Sequence, residues 1–500
     1  MQLYNYVGST MFSIRRFLLL IVLIALSACA GAGASVTVTP TVEDSQAQAV
    51  TAEALPPPQL LAWVDIQGGR DAHTGGQIAL IEADGTISPV LPLAATDSLV
   101  VPCGQSGDTV AVYAGGASGS LYLLNGTQIS APLATTYNLA CFDDGTFQFA
   151  PDGSRLAYLD YNPSAFTKEY ADGVLHVLDT ASLGAVASFD DVTTYVLEDN
   201  RAVFVRFYQN ARGEAIEAAI LLWDGTDNRE ILTLTPTGET CRFTSAALAL
   251  HGDQAAVVLG QRCTNQGTDW QLYTVDLNER MGTLAASADT GGVYLPYART
   301  NNIWLSPNGT YAYITVPDGV TSRTASLVLV NLTDYSVLTL IDRQVLLPHH
   351  EDPRRVRVQS PDGAWLALPI TSPGSNRNGL TVIELNDPSM PVRLDLALDT
   401  IGGIAFAPNN VVYAEINANG DGSLNALDLT AGTTRRVLRG NFQDGLLITP
   451  DGSGVVAQLY AGDAPYYSDL VGVTLSDGVL SPLYTGNPAN RAQPLAWVTP

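Results

Sequence analysis

The sequence predicts an all-β fold in which one unit of four short antiparallel strands is repeated along the chain. A Pro-Asp-Gly or Pro-Asn-Gly turn returns between apolar runs at residues 151–153, 307–309, 361–363 and 450–452. Gly (45) and Tyr (21) are frequent and Met (4) is rare, a composition that favours strands and tight turns over helices. Because further apolar runs and turns follow these turns regularly, they indicate one repeated supersecondary unit.

Each part of the unit has its own signal. Pro at the second position and Gly at the fourth suit a type I turn, so the motif closes the first hairpin. A third apolar run ends in a second turn, as at residues 78–85, 120–126, 221–225, 272–282, 327–334, 380–387 and 424–432. Nine such units, each about 40–55 residues long as propeller blades are, begin near residues 60, 98, 142, 192, 241, 299, 354, 401 and 442.

The two ends of the repeated region predict a closed ring. The C-terminal segment QPLAWVTP (493–500) matches the first strand of a unit, whereas QLLAWVDIQ (59–67) matches the second strand. The C-terminal strand is therefore expected to complete the N-terminal sheet, and such closure removes open sheet edges. The sequence thus predicts a single β-propeller over residues 59–500, with eight or nine four-stranded antiparallel blades.

The Pro-Asp-Gly hairpins and strands such as RLAYLD (155–160) resemble the WD-like Pro-Asp repeats of the TolB propeller and of the propeller in prolyl oligopeptidases. The resemblance covers roughly residues 59–500 and implies a propeller, but it leaves function open. An enzyme like prolyl oligopeptidase also needs a hydrolase domain with a Gly-x-Ser-x-Gly elbow. The sequence has no such elbow, since GGASGS (115–120) lacks the final glycine in register.

Residues 1–28 predict an export signal. Arg15 and Arg16 precede the apolar run FLLLIVLIAL (17–26), which is too short for an ordinary membrane span. Residues 26–29, Leu-Ser-Ala-Cys29, resemble the lipobox of bacterial lipoproteins. That resemblance implies that Cys29 becomes the acylated first residue of the mature protein and anchors it to the membrane. The alternative is a plain secretory signal with a chance cysteine.

Residues 29–58 predict a disordered tether behind the anchor cysteine. The segment has little apolar content and ends in three prolines. A coil of about 29 residues has a root-mean-square span near 30 Å, at roughly 5–6 Å × √n, which holds a domain away from a bilayer. The expected location is the cell envelope, on the extracytoplasmic side of a bacterial membrane.

The charge balance excludes one class of partner. With 24 basic and 49 acidic residues, the formal net charge is -25. Such a surface repels phosphate backbones, so no nucleic-acid partner is expected. A strongly acidic surface also resists association, and a monomer is expected.

Four cysteines remain after Cys29. Cys241 begins one strand-like run and Cys263 ends the next, with the turn at 251–254 near their midpoint. An antiparallel hairpin places them opposite each other, and an exported protein permits a disulfide there. Cys103 and Cys141 form the leftover pair, with two buried free thiols as the alternative.

Long second–third loops are expected to gather on one face of the ring, because loops vary in length at little cost and carry function. They cover residues 160–173, 208–217, 262–270, 371–379 and 460–469. Their aromatic residues are candidate anchors for a protein or glycan, unless they only cover the blade tops: Tyr161, Phe166, Tyr170, Tyr208, Trp270, Tyr466 and Tyr467.

Two segments are candidate metal sites. Residues 417–428 resemble a calcium loop, with Asn417, Asn419 and Asp421 at alternate positions, Gly at the sixth and Asp428 at the twelfth. The first position is Asn and the twelfth is Asp rather than Glu, so a plain hairpin turn is the alternative. The segment PHHED (348–352) offers imidazoles and carboxylates, but adjacent side chains in extended chain point opposite ways. No cofactor other than this calcium is expected.

Two functions stay open at the level of sequence. The first is a membrane-anchored lipoprotein whose propeller is a non-enzymatic binding or scaffolding module for an envelope protein or glycan. The alternative is a propeller enzyme with its site in the central funnel, a hydrolase or lyase acting on a carbohydrate or small ester, with or without metal assistance. Such funnel sites are scattered in sequence, so motifs do not separate the two.

Overall fold

Short apolar runs between Gly, Asn and Asp turns make strands the local conformation that buries the most side chains. In the computed structural model, the described residues form strands, turns and bends and no helix. They are 58–67, 73–82, 84–93, 99–115, 119–125, 128–133, 135–136, 147–161, 172–264, 267–289, 303–317, 324–346, 358–371, 378–388, 392–398, 400–416, 422–442, 445–460, 468–486 and 490–498. Accordingly, no helix long and apolar enough to cross a membrane is found among them.

The strands of the described residues are numbered in chain order. The first half comprises β1 (Gln59–Gln67), β2 (His73–Ile81), β3 (Ile87–Pro92), β4 (Leu99–Ser106), β5 (Thr109–Gly115), β6 (Gly119–Asn125), β7 (Gln128–Ile129), β8 (Thr135–Thr136), β9 (Phe147–Phe149), β10 (Arg155–Tyr161), β11 (Gly173–Asp179), β12 (Ala185–Glu198), β13 (Arg201–Gln209), β14 (Ala215–Trp223), β15 (Asn228–Leu234), β16 (Cys241–His251), β17 (Gln254–Cys263) and β18 (Gly267–Asp276). The second half comprises β19 (Met281–Asp289), β20 (Ile303–Leu305), β21 (Tyr311–Pro317), β22 (Thr324–Asn331), β23 (Val337–Leu346), β24 (Val358–Gln359), β25 (Trp365–Thr371), β26 (Asn378–Glu384), β27 (Val392–Leu398), β28 (Thr400–Ala407), β29 (Asn410–Ile416), β30 (Gly422–Asp428), β31 (Thr433–Arg439), β32 (Leu447–Ile448), β33 (Gly454–Tyr460), β34 (Ser468–Thr474), β35 (Leu480–Tyr484) and β36 (Asn490–Val498).

These strands form nine antiparallel blades in the described part of the chain. Blade 1 is β36-β1-β2-β3, blade 2 is β4-β5-β6 with β7 and β8, blade 5 is β16–β19, blade 8 is β28–β31 and blade 9 is β32–β35. Two longer sheets hold the others: β9–β15 contains blades 3 and 4, and β20–β27 contains blades 6 and 7. The all-β propeller predicted from the sequence is therefore confirmed, with one blade for each of the nine predicted units.

Blades 3 and 4 share the long strand β12. Its first half pairs with β11 from Ala185 to Phe189, and again at Val192, as the fourth strand of blade 3. Its second half, from Val192, pairs with β13 as the first strand of blade 4. Asp191 lies between the two halves with φ at 58°, a left-handed conformation in which the strand turns from one sheet into the next.

The C-terminal strand completes blade 1, as the matching termini predicted. β36 pairs antiparallel with β1, with Leu60 opposite Trp497 and Leu61 opposite Ala496. The indole N–H of Trp497 donates to the carbonyl oxygen of Ile448 in blade 9 at 2.9 Å. On the other side, the side-chain amide of Gln105 in blade 2 donates to the carbonyl oxygen of Trp497. The closing strand is thus hydrogen-bonded to three blades.

The core is a ring of nine apolar clusters in the described residues, each packed between two successive blades. The strand β1 shows how one sequence supplies two clusters. Leu60 and Ala62 face blade 9, whereas Leu61 and Trp63 face blade 2, because successive side chains point to opposite faces of a strand. A blade that is covered on both faces needs a nearly continuous apolar run, which explains the sequence pattern.

The repeated Pro-Asp-Gly motif forms the same turn in four blades. In each, the glycine N–H donates to the carbonyl oxygen three residues earlier at 2.8 Å. The glycines have left-handed φ values of 69–71°, which glycine adopts without steric cost. They are Gly153, Gly309, Gly363 and Gly452. The motif recurs because the turn needs Pro, a short carboxylate or amide, and Gly in that order.

The acidic residue of this turn makes blade stability depend on pH. Hydrogen bonds from the hydroxyls of Thr449 and Ser453 and from the Ser453 N–H lower the pKa of Asp451 to about 2. The folded state therefore binds fewer protons than the unfolded state, so the stabilisation is present above the ordinary pKa of 3.8 and lost as pH falls through the lowered pKa.

We expect Asp451→Asn to fold and to show a smaller loss of stability than the wild type between pH 5 and pH 2. Asn308 already occupies the same place in blade 6, where its side-chain oxygen accepts from the Ser306 hydroxyl at 2.7 Å and the Thr310 N–H at 3.0 Å. Urea denaturation midpoints at several pH values measure the effect. Asp451→Ala is the control, because it loses the turn hydrogen bonds at every pH. Parallel pH profiles for the Asp451→Asn variant and the wild type would contradict the assignment.

The turns divide the propeller into two unlike faces. Residues that follow third strands donate to residues of the first hairpin turn, as Leu332 N–H does to Thr310 O (2.8 Å) and Leu475 N–H to Ser453 O (2.9 Å). First–second and third–fourth turns therefore lie on one face, hereafter the turn face. Second–third loops and the connections between blades lie on the other, hereafter the loop face.

Candidate functional site

The aromatic anchors predicted for the loop face do not come together among the described residues. Tyr208 is 37% exposed, and its hydroxyl donates to Glu230 at 3.3 Å. Trp270 is 3% exposed and packs between blades 5 and 6. The side chain of Tyr161 and the residues Phe166, Tyr170, Tyr466 and Tyr467 lie outside the described residues.

Trp270 is therefore a correction to the predicted set of surface anchors. The hairpin of β17 and β18 continues to Cys263 and Gly267, so the second–third loop is shorter than the predicted range 262–270. Trp270 lies within β18, directly opposite Gly260. A strand residue of a blade covered on both faces is buried, and this tryptophan belongs to the core.

The twelfth position of the calcium-like segment is also corrected. Asp428 ends β30, a seven-residue strand that begins at Gly422. At about 3.3 Å per residue, the strand places Asp428 roughly 20 Å from the second–third loop. Its carboxylate accepts the N–H groups of Thr430 and Ala431 at 2.8 and 2.7 Å and so closes a turn on the turn face. Asn417, Asn419 and Asp421 lie outside the described residues, as do residues 348–352 and Cys29.

Among the residues that the structure describes, no group of three or more His, Cys, Asp or Glu side chains is arranged to hold a metal ion. A calcium site at residues 417–421 stays a prediction.

A disulfide fixes the loop-face end of blade 5. Cys241 and Cys263 are directly opposite each other in the β16–β17 hairpin and are bonded, with an S–S distance of 2.02 Å. This is the pairing that the sequence indicated. Cys103 is disulfide-bonded as well, which removes the free-thiol alternative for that residue, and Cys141 lies outside the described residues.

The connection from blade 4 to blade 5, residues 235–240, runs beside this disulfide. The side-chain amide of Gln261 donates to the Thr237 hydroxyl at 2.6 Å and accepts the Thr237 N–H at 3.2 Å. Gln261 is itself fully buried. The Cys241 N–H donates to the Gly238 carbonyl oxygen at 2.9 Å, which closes a turn with Glu239 near its tip. The connection is thus held to the sheet at Thr237 and Gly238.

The loop at residues 210–214 of blade 4 presents an acidic side chain to the same place. Asn210 accepts the N–H groups of Arg212 and Glu214 through its side-chain oxygen at 2.8 and 3.1 Å. Its side-chain N–H donates to the Glu214 carboxylate at 2.7 Å. Gly213, with φ at 77°, completes the turn. The carboxylate is therefore positioned by its own loop.

Arg242 of blade 5 meets this carboxylate. Its Nε donates to Glu214 at 3.1 Å, and its Nη1 donates to the carbonyl oxygens of Glu239 and Cys241 at 2.9 and 2.6 Å. Both side chains are partly exposed, at 23% and 33%. The side chain of Asn210, and then that of Arg242, lower the pKa of Glu214 below its ordinary value of 4.5, so this carboxylate stays ionised at neutral pH.

These elements form the walls of a cavity of about 460 Å³ that is open to solvent on the loop face, between blades 4 and 5. It is lined by Ile216, Thr235, Pro236, Thr237, Gly238, Glu239, Cys241 and Arg242. The volume lies within the range of roughly 300–1,000 Å³ typical of small-molecule sites. Hydrophobic side chains, hydroxyls, a carboxylate and a guanidinium thus share one preformed recess.

The sequence predicted the loop that contains Glu214 and singled out Cys241, the neighbour of Arg242. It did not predict that Glu214 and Arg242 form an ion pair. The two residues are 28 positions apart and belong to different blades. No local pattern links them.

Comparison with family models finds no match, and no curated protein matches the chain. Solved structures do match. One described as the crystal structure of the eukaryotic initiation factor is 12% identical, covers 88% of this chain and 100% of its own, and has a TM-score of 0.50. TolB from Acinetobacter baumannii, a β-propeller, is 12% identical over 69% of this chain and 83% of its own, with a TM-score of 0.27. A prolyl endopeptidase is 13% identical over 78% of this chain but only 48% of its own, with a TM-score of 0.42. The first of these structures is similar to this chain in overall fold. At 12% identity, the similarity shows the fold alone.

Proposed function

We propose that the protein is a lipid-anchored lipoprotein of the bacterial cell envelope whose propeller binds a protein or glycan through its loop face. The observation that carries the binding role is the recess between blades 4 and 5. Its walls are fixed by a disulfide, a buried glutamine and a positioned ion pair. Such fixed walls lower the entropic cost of binding.

The anchoring role rests on the sequence of residues 1–58. The basic pair, the short apolar run and Cys29 follow the lipoprotein order, and the proline-ended tether separates the acyl chains from the first strand at Gln59. Two or three acyl chains hold a protein firmly on a bilayer, whereas one chain is marginal.

Replacing the anchor cysteine is expected to release the protein from membranes. Wild-type protein should sediment with membranes after a carbonate wash and dissolve only in detergent, whereas Cys29→Ser should appear in the soluble fraction. Ser45→Ala, a tether change outside the lipobox, is the control and should stay membrane-bound. Fractionation followed by immunoblotting measures the distribution. Retention of Cys29→Ser in the washed membranes would refute the anchor.

The binding face is tested by steric blocking of one face at a time. Ala211→Cys places a thiol at an exposed tip of the loop face, and Glu279→Cys places one at an exposed turn of the turn face. Each is coupled to a maleimide-polyethylene glycol and used to capture components from detergent-solubilised envelopes. Coupling at position 211 should abolish specific capture, while coupling at position 279 should leave it intact. Equal effects of the two couplings would refute the loop-face assignment.

A further inference from the structure

We infer that the recess between blades 4 and 5 binds a neutral carbohydrate, a mono- or disaccharide unit, an assignment that rests on the loop face being the binding face. The argument starts from charge. Glu239 and Arg242 line the recess, and the Glu214 carboxylate pairs with Arg242 beside it. The carboxylates and the overall charge of -25 repel anions, and the ion pair of Glu214 with Arg242 leaves the Glu239 carboxylate uncompensated at the recess. A neutral polar ligand avoids the repulsion that an anion meets and can donate hydroxyl groups to this carboxylate.

The hydrogen-bonding groups left over at the recess are those that sugar hydroxyls need. In the part of the chain that the structure describes, Nε and Nη1 of Arg242 are engaged by Glu214 and by backbone carbonyls, whereas its Nη2 has no partner. The Glu239 carboxylate, near the tip of its turn, also has none there. A planar donor and a planar acceptor that line one recess match sugar hydroxyl groups, each of which both donates and accepts.

The rest of the lining matches the apolar side of a sugar ring. Ile216 and Pro236 present hydrocarbon, and the Cys241 side chain of the disulfide adds an apolar sulfur. Thr235 and Thr237 also line the recess and contribute hydroxyls. Apolar surface with a few fixed polar groups is the usual composition of a small-molecule site, and here both kinds of group are present within about 460 Å³.

The recess is also formed before any ligand arrives. Asn210 holds Glu214, Glu214 holds Arg242, and Gln261 with the disulfide holds the opposite wall. Since little side-chain freedom remains to be lost, weak individual contacts to hydroxyls suffice for measurable binding.

The test uses the detergent-solubilised full-length chain and saturation-transfer NMR with defined probes. Neutral probes are cellobiose, maltose and N,N′-diacetylchitobiose, while glucuronate and glucosamine supply an anion and a cation at pH 7. We expect saturation transfer to at least one neutral disaccharide and weaker transfer to both charged sugars. Stronger binding of either charged sugar, or binding of none of the neutral ones, would overturn the assignment.

Variants assign the binding to the recess. Arg242→Met should lower the affinity for the bound disaccharide at least about tenfold, the size of one charged hydrogen bond. Glu239→Gln should lower it several-fold while leaving the fold intact, because this carboxylate supports no other described group. Arg201→Met is the matched control: this arginine pairs with Glu198 and Asp253 on the turn face and should bind sugar as wild type does. Wild-type affinity in both recess variants would overturn the assignment.

Failure of this inference is distinguishable from failure of the proposed function. If no sugar binds while coupling at position 211 still abolishes envelope capture, the loop face recognises a ligand of another class. If sugar binds in the recess while coupling at position 211 has no effect on envelope capture, the recess stands and the proposed partner does not.

Discussion

A chain that ends at Gly486, without β36, is expected to fail to form the native ring. β36 supplies the first strand of blade 1, and its removal leaves the edge of β1 unpaired. It also removes Leu495, Ala496 and Val498 from the cluster between blades 1 and 2. An open apolar edge of this kind pairs with other chains. We therefore expect loss of the near-ultraviolet circular dichroism signal and elution as aggregates in size-exclusion chromatography.

A point variant tests the same closure without deleting a strand. Ala496 is buried opposite Leu61, so Ala496→Glu places a carboxylate between two blades and should lower the free energy of unfolding by about 3 kcal/mol or more. Deletion of the last two residues alone is the control, because β36 ends at Val498. A chain ending at Gly486 that keeps the wild-type spectrum and melting temperature would show that another contact closes the ring.

The fold could be predicted from the sequence because each blade repeats the same physical solution. A turn with Pro and Gly in fixed order, flanked by apolar runs, specifies a hairpin wherever it occurs. The predicted unit start near 241 coincides with the first residue of β16. The start near 192 falls inside β12, because one extended strand passes between two blades and only Asp191 marks the change. Repetition therefore fixed the number of blades more firmly than the strand boundaries.

The errors concern residues whose role depends on strand pairing. The polar segment 262–270 has the composition of a loop, yet pairing across the hairpin reaches Cys263 and Gly267 and buries Trp270. The spacing of Asn417, Asn419, Asp421 and Asp428 matches a calcium loop along the sequence. In the fold, however, a complete strand separates the last of these from the second–third loop. Linear spacing specifies a site only when the intervening chain is itself a loop.

The recess between blades 4 and 5 had no signal in the sequence. Glu214 belongs to a second–third loop of one blade and Arg242 to the first strand of the next. They meet because neighbouring blades place these two kinds of segment side by side on the loop face. Such a pair could be anticipated only after the blade register was known. The disulfide could be predicted from the sequence, because Cys241 and Cys263 lie at nearly equal distances along the chain from a single hairpin turn.

Tyr313 is expected to be among the most costly single side chains to remove, because it joins blade 6 to blade 7. Its side chain is fully buried, and its hydroxyl donates to the carbonyl oxygen of Leu385, 72 residues away, at 2.8 Å. Tyr313→Ala leaves a cavity and an unpaired carbonyl, and should lower the free energy of unfolding by about 4 kcal/mol. Tyr313→Phe keeps the ring and should cost about 1 kcal/mol. Denaturant unfolding followed by tryptophan fluorescence measures both.

Tyr335 of the same blade provides the matched control. It is 40% exposed, so Tyr335→Ala should change the free energy of unfolding by less than about 0.5 kcal/mol. Burial raises the pKa of Tyr313 above its ordinary value of 10.0. Its hydroxyl therefore stays protonated in the folded state, and its stabilisation is lost as pH rises above 10. Tyr313→Phe should accordingly weaken the alkaline loss of stability. Equal costs for Tyr313→Ala and Tyr335→Ala would mean that the blades are not joined through this residue.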